Sequence, residues 1–91
     1  MIERTATVAT RVGLHARPAA IFSEAAAEFD LDITIARAGE PAEDAMDAAS
    51  MLSLMSLGIE CGEVVILRTE GAGAEEALET LVRILETDHD A

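Results

Sequence analysis

The stretch "VGLHARPAA", residues 12–20, decides how the rest of the chain is read. Gly13 interrupts an alternating pattern on its N-terminal side. Pro18 suits the first turn of a helix on its C-terminal side, where a missing N–H costs nothing. Before the junction, Ile2, Arg4, Ala6 and Val8 alternate with Glu3, Thr5, Thr7 and Ala9, the period of a half-buried strand. After it, Phe22, Ala25, Ala26 and Phe29 follow the i, i+3, i+4, i+7 spacing of a helix stripe, with Ser23, Glu24 and Glu28 facing out. A helix is predicted from Ala16 to Phe29, with Asp30 beyond it.

The remaining chain continues the alternation of strand and helix. "LDITIAR" (Leu31 to Arg37) predicts a second strand with Leu31, Ile33 and Ile35 inward, closed by the turn residues Ala38 to Pro41. "AEDAMDAA" (Ala42 to Ala49) has no clear period and fits a short edge strand or a loop. Ser50 or Asp47 then caps a short helix over Met51 to Leu57, which Gly58 ends. "EVVILRT" (Glu63 to Thr69) is nearly continuously apolar and reads as a central strand; Glu70 to Gly73 form a turn. Ala74, Ala77, Leu78, Leu81, Val82 and Leu85 make a final helical stripe opposite Glu75, Glu76, Glu79, Arg83 and Glu86. "TDHDA" is a polar tail. The order β-α-β-(β)-α-β-α predicts an α+β fold, an antiparallel sheet with helices on one face.

Ninety-one residues suffice for one domain, and with only two aromatic residues its core must be aliphatic. No apolar run is long enough for a membrane span, and "MIERTATV" shows no signal-peptide pattern. Cys61 is the single cysteine, which excludes an internal disulfide and points to the cytoplasm. One cysteine and two distant histidines, His15 and His89, do not form a metal-ligand cluster, so no metal or other cofactor is expected. The net charge of −12 disfavours nucleic acid and anionic membranes as partners. A halophilic host or a GC-rich genome would each account for it.

The distribution of charge is more informative than its sum. No acid lies between Glu3 and Glu24, while Arg4, Arg11, Arg17 and His15 fall there or at its edge. A second stretch, Ala48 to Ile59, is neutral and is either core or contact surface.

A helix beginning at Ala16 directs its free N–H groups and the positive end of its dipole toward His15. That field disfavours the imidazolium and keeps the ring neutral and nucleophilic near pH 7, against an ordinary histidine pKa of about 6.5. An anion placed on the ring would meet the helix-start backbone of Ala16, Arg17 and Pro18, and the planar fork of Arg17. These features describe a phosphoryl acceptor. A histidine near a helix start is otherwise a cap or a surface residue.

"GLHARPAA" (Gly13 to Ala20) resembles the active-site stretch of the HPr family, the histidine-containing phosphocarriers of the bacterial phosphoenolpyruvate:sugar phosphotransferase system. The resemblance extends through "SLMSLGI" (Ser53 to Ile59) to the closing strand and helix. It implies an open-faced β-sandwich, a four-stranded antiparallel sheet covered on one face by three helices. It implies that Enzyme I phosphorylates His15 on Nδ1, with phosphoenolpyruvate as the source. The group then passes to sugar-specific IIA components, and Arg17 neutralises it. Such a protein is a carrier rather than an enzyme, and a monomer is expected. Met51, Leu52 and Met55 match positions that present apolar side chains to partners, and Leu14 and Ala20 join them beside the histidine; Leu54 and Leu57 are left for the core. The competing reading puts the whole apolar set of the short helix in the core.

Ser50 matches a serine that a regulatory kinase phosphorylates in many relatives, and it is equally a helix N-cap. Ala49 stands where a lysine commonly precedes that serine, and Asp44 and Asp47 would repel a phosphate. About four residues are inserted before Ser50, within "PAEDAMDAAS", relative to the family pattern. Val12 replaces a residue that is often polar. His89, between two aspartates, is read as solvated, and Cys61 lacks basic neighbours. Two other functions compete: an HPr-fold regulator that signals carbon status through regulatory proteins, and a small-molecule-binding module without covalent chemistry. An exposed histidine at a helix start has no use in the latter.

Overall fold

The computed structural model describes residues 2–11, 13–14 and 16–87. His15, Val12, His89 and the last four residues lie outside the described residues. Among the described residues the elements are β1 (Ile2–Thr7), α1 (Ala16–Glu28), β2 (Thr34–Arg37), a 3-10 turn (Ala42–Asp44), β3 (Met46–Asp47), α2 (Met51–Leu57), β4 (Val64–Thr69) and α3 (Ala74–Leu85). The strands form one antiparallel sheet in the order β1-β4-β2-β3. This is the α+β open-faced sandwich expected from the sequence.

Residue type explains where each strand sits. β4 carries the β-branched run and is central, pairing along its whole length with β1 and with β2 on its other side. Val65 and Leu67 point to the helices and join Ala6, Val8, Ile35, Phe22, Leu54, Leu78, Leu81 and Leu85 in one buried cluster. The opposite face of β4 is open. Val64 is 41% exposed there. Arg68 pairs with Glu3 across the β1–β4 ladder at 2.6 Å. The continuous apolar run of β4 therefore does not mean burial on both sides.

Local hydrogen bonds account for the shifted boundaries. β1 stops at Thr7 rather than Ala9, because the Ala9 N–H donates to the Leu85 carbonyl on α3 at 2.9 Å. β2 begins at Thr34 rather than Leu31; the Asp32 carbonyl accepts from the Thr69 hydroxyl at 2.9 Å instead of from a ladder N–H. The segment without a period resolves into the 3-10 turn and the two-residue edge strand β3. Ser23 is buried rather than solvent-facing, and its hydroxyl is satisfied by donating to the Ala20 carbonyl at 3.2 Å. Leu57 is only half-buried.

Both ends of α2 are set by single residues. The Ser50 hydroxyl oxygen accepts the Ser53 N–H at 3.2 Å, which makes Ser50 the N-cap. Asp47, the other candidate cap, accepts the Ala49 N–H at 2.9 Å instead. Gly58 ends the helix with φ +64°, and its N–H donates to the Met55 carbonyl. Ser50→Ala is expected to lower stability by about 1 kcal/mol in urea unfolding, the usual loss of a serine cap. Unchanged stability would show that the hydroxyl contributes nothing to the helix start.

Candidate functional site

The segment around the histidine is built between two elements. Gly13 and Leu14 run from β1 toward α1, over the turn that joins α2 to β4. The Leu14 N–H donates to the Ile59 carbonyl at 2.9 Å, and the Gly13 N–H donates to the Thr10 carbonyl at 2.9 Å. Gly13 has φ +69°, and a Cβ added there would strike the Ile59 carbonyl and the Glu60 backbone. Only glycine allows so close an approach in that conformation.

Leu14 corrects an expectation. Its side chain is 2% exposed and belongs to the core, so it anchors the segment from below and presents no face to a partner. Ala16 and Arg17 are exposed, Pro18 is buried, and Ala20 is half-buried. Pro18 has no N–H and so donates nothing to an anion; it shapes the first turn, and the N–H groups of Ala16 and Arg17 are the donors that remain at this helix start. Arg17 stands in that exposed turn, where no acid is present.

Ala16 has φ +31°, the single non-glycine residue with positive φ among the described residues. A Cβ in that region is strained by about 1–2 kcal/mol. The strain falls on the residue that follows His15 in the chain and that opens α1.

The short helix presents its apolar residues unevenly. Leu52 is 82% exposed, with Met51 at 39% and Met55 at 40%, while Leu54 is fully buried. The reading that places all of them in the core does not hold. Three exposed apolar side chains on seven helical residues leave an apolar face on the surface, and methionine is a side chain that adapts to several shapes. Ser50 is half-buried at the start of this helix, with its oxygen already engaged by the Ser53 N–H.

A further cluster was not anticipated from the sequence. Arg37, at the end of β2, donates from Nε to the Glu63 carboxylate at 2.8 Å and from Nη2 to the Gly58 carbonyl at 3.0 Å. Glu63 also accepts the Glu60 N–H at 2.7 Å. The hydrogen bond from Arg37, and then that from the Glu60 backbone, hold the Glu63 carboxyl below the usual carboxylate range. Arg37 is raised in turn, first by the same bond. No spacing rule links residues 37 and 63; opposite charges at neighbouring ends of two strands were the only signal.

The fold is an open-faced sandwich whose surface carries Arg17 in the first turn of α1 and an exposed apolar face on α2. A family model described as "PTS HPr component phosphorylation site" matches residues 2–87, and the chain belongs to the HPr family. The phosphocarrier protein HPr of Haloferax volcanii is 49% identical over 86 residues, covering 94% of this chain and 94% of that protein. The HPr-like protein Crh of Halalkalibacterium halodurans is 38% identical over 88 residues, covering 97% of this chain and all of that one. The crystal structure of HPr from Bacillus anthracis superposes with a TM-score of 0.83 at 38% identity, over 92% of this chain and 95% of that one.

The strain at Ala16 is directly testable. Ala16→Gly is expected to leave stability unchanged or to raise it by up to about 1 kcal/mol, because glycine accepts positive φ. Ala27→Gly, exposed within α1, should cost about 1 kcal/mol. Equal losses in urea unfolding at both positions would show that Ala16 stores no strain.

Proposed function

We propose that this chain acts as a phosphocarrier of the sugar phosphotransferase system, with His15 as the acceptor. Phospho-Enzyme I donates the phosphoryl group to His15 Nδ1, and sugar-specific IIA components remove it. The observation that carries this reading is the match of the phosphorylation-site family model across residues 2–87, with "GLHARP" intact at Gly13 to Pro18. The helix start after His15 supports it. On loading, the lone pair of neutral Nδ1 forms the N–P bond as the bond from phosphorus to the donor breaks; on unloading, the N–P bond breaks and its pair returns to Nδ1 as the acceptor bonds phosphorus, with the ring proton on Nε2 throughout. The Ala16 and Arg17 N–H groups and the Arg17 guanidinium would receive the charge on the phosphoryl oxygens. The protein supplies an acceptor and an anion site, and its partners supply the remaining catalytic groups.

Docking falls to Met51, Leu52 and Met55, together with the half-buried Ala20 on α1; Leu14 is left out because it is buried. The chain is read as one carrier domain over residues 1–91, monomeric and cytoplasmic. Among the described residues no helix is long and apolar enough to cross a membrane.

A regulatory role is the second reading, favoured by the relative named HPr-like protein Crh. In it, the chain reports carbon status to regulatory proteins, and Ser50 is the natural switch. The cap bond from Ser53 N–H and the neighbouring Asp47 weigh against phosphorylation of Ser50. The module without covalent chemistry has no observation in its favour.

Incubation with phosphoenolpyruvate and Enzyme I should give an acid-labile, base-stable adduct that maps to His15, and His15→Ala should give none. An adduct on that variant, or one mapping to His89, would refute the assignment. For docking, Met55→Glu should raise the KM of Enzyme I for this protein about tenfold with an unchanged far-UV spectrum, the range of a lost interface anchor. Unchanged transfer kinetics would remove the exposed face of α2 from the contact.

A further inference from the structure

The ion pair between Arg37 and Glu63 lies apart from the helix start, yet every group it touches leads there. Arg37 joins three separate pieces of chain: the end of β2, the C-terminal carbonyl of α2 at Gly58, and the turn before β4 through Glu63. Glu63 closes that turn on itself by accepting the Glu60 N–H at 2.7 Å, while the Glu63 N–H donates to the Glu60 carbonyl at 3.1 Å. The residue between Gly58 and Glu60 is Ile59, whose carbonyl receives the Leu14 N–H. Its side chain is fully buried, so the turn is fixed from the core side as well. The same turn grips the other end of the segment: the Val8 N–H donates to the Glu63 carbonyl at 2.9 Å, and the Gly62 N–H donates to the Val8 carbonyl at 2.8 Å.

We propose that Arg37 and Glu63 are positioning residues for phosphoryl transfer: their ion pair fixes the 58–63 turn, and through the Ile59 carbonyl it fixes the segment that carries the acceptor histidine. The proposal rests on the reading of His15 as acceptor. Three physical features support it. The guanidinium satisfies a helix C-terminal carbonyl and a carboxylate at once, so its fork is held in one orientation. The pair is only partly exposed, with the side chains at 31% and 33%, and is less open to solvent screening than a free surface pair. Glu40 and Glu60 also face Arg37, so the cation is held from several sides and its loss would leave Glu63 among like charges.

The pair also gives the docking helix a mechanical link to the acceptor segment. Arg37 holds the carbonyl of Gly58, the residue that caps α2, and the exposed face of that helix is formed by Met51, Leu52 and Met55. Pressure on that face from a partner is transmitted to Gly58 and Ile59, and from Ile59 to Leu14. Transfer needs reacting atoms held in line, so a loosened segment lowers the chemical step more than binding.

The test compares Arg37→Met and Glu63→Gln with the unmodified protein as acceptor from phospho-Enzyme I, together with amide hydrogen exchange of free protein. The kcat for transfer should fall about tenfold while KM stays within about twofold, the pattern of a transition-state positioning loss. The Leu14 amide should exchange about tenfold faster while the Phe22 amide in α1 is unaffected, since only the local opening is made easier. Arg37→Lys reaches one of the two acceptors and should recover part of the loss. Arg68→Met breaks a different ion pair, Arg68–Glu3 between β4 and β1, and should leave kcat unchanged even where it lowers stability. Glu63→Gln keeps an oxygen for the Glu60 N–H and serves if Arg37→Met fails to fold. A kcat and Leu14 exchange rate equal to those of the unmodified protein, or a kcat loss shared by Arg68→Met, would overturn the proposal. If the unmodified protein accepts no phosphoryl group, the functional reading fails, and the exchange measurement alone still decides whether the pair holds the segment.

Discussion

The hydrogen bond from the Leu14 N–H to the Ile59 carbonyl is the contact on which the rest of the site depends. It joins the segment leaving β1 to the turn between α2 and β4, two parts of the chain far apart in sequence. The contact requires Gly13, because any Cβ there would strike the Ile59 carbonyl, and the buried Leu14 side chain to hold the segment down. With the segment fixed, α1 has to begin at once, and Ala16 takes a positive φ to do so. The sheet supplies the platform: β4 fixes β1 on one side and β2 on the other, and so sets where Glu63 and Arg37 stand relative to Val8.

From this arrangement the surface divides into distinct parts. The first turn of α1 carries Arg17 and lacks acids. The exposed face of α2 carries Met51, Leu52 and Met55. Elsewhere the chain is strongly acidic, with a net charge of −12. Under the proposed function, a donor or acceptor protein that recognises both the apolar face and the cationic turn would be brought to a helix start where no acid stands in the first turn. A carrier must give up its cargo as readily as it accepts it. Under the proposed function, an exposed anion site made of backbone N–H groups and one arginine would meet that need better than a deep pocket.

Much of the fold was legible in the sequence because the signals were local. Pro18 and the Phe22 stripe marked α1, Ser50 and Gly58 bounded α2, and the Leu78–Leu81–Leu85 stripe marked α3. The misreadings came where tertiary contacts overrode local pattern. Leu31 sits in an alternating run, but the Thr69 hydroxyl claims the Asp32 carbonyl and delays the strand. Ser23 resembles a solvent-facing residue, yet it satisfies its hydroxyl on the Ala20 carbonyl and is buried. Leu14 resembles a docking residue beside the histidine, yet it is buried in the core cluster and its N–H is held by the distant Ile59 carbonyl. The Arg37–Glu63 pair was illegible for the same reason, since only the β2–β4 register brings the two strand ends together. The motif "GLHARP" pointed to the candidate acceptor through its resemblance to the HPr family, which contiguous residues carry; the local chemistry alone left a cap or surface histidine equally open.

The most direct test of the account is reversibility. The protein is first phosphorylated by Enzyme I and phosphoenolpyruvate, then freed of donor and mixed with Enzyme I and excess pyruvate, and its intact mass is followed with time. A carrier should gain one phosphoryl group in the first step and return it to pyruvate in the second, regaining its original mass. A protein that gains no mass, or that holds or hydrolyses the group without forming phosphoenolpyruvate, would contradict the account.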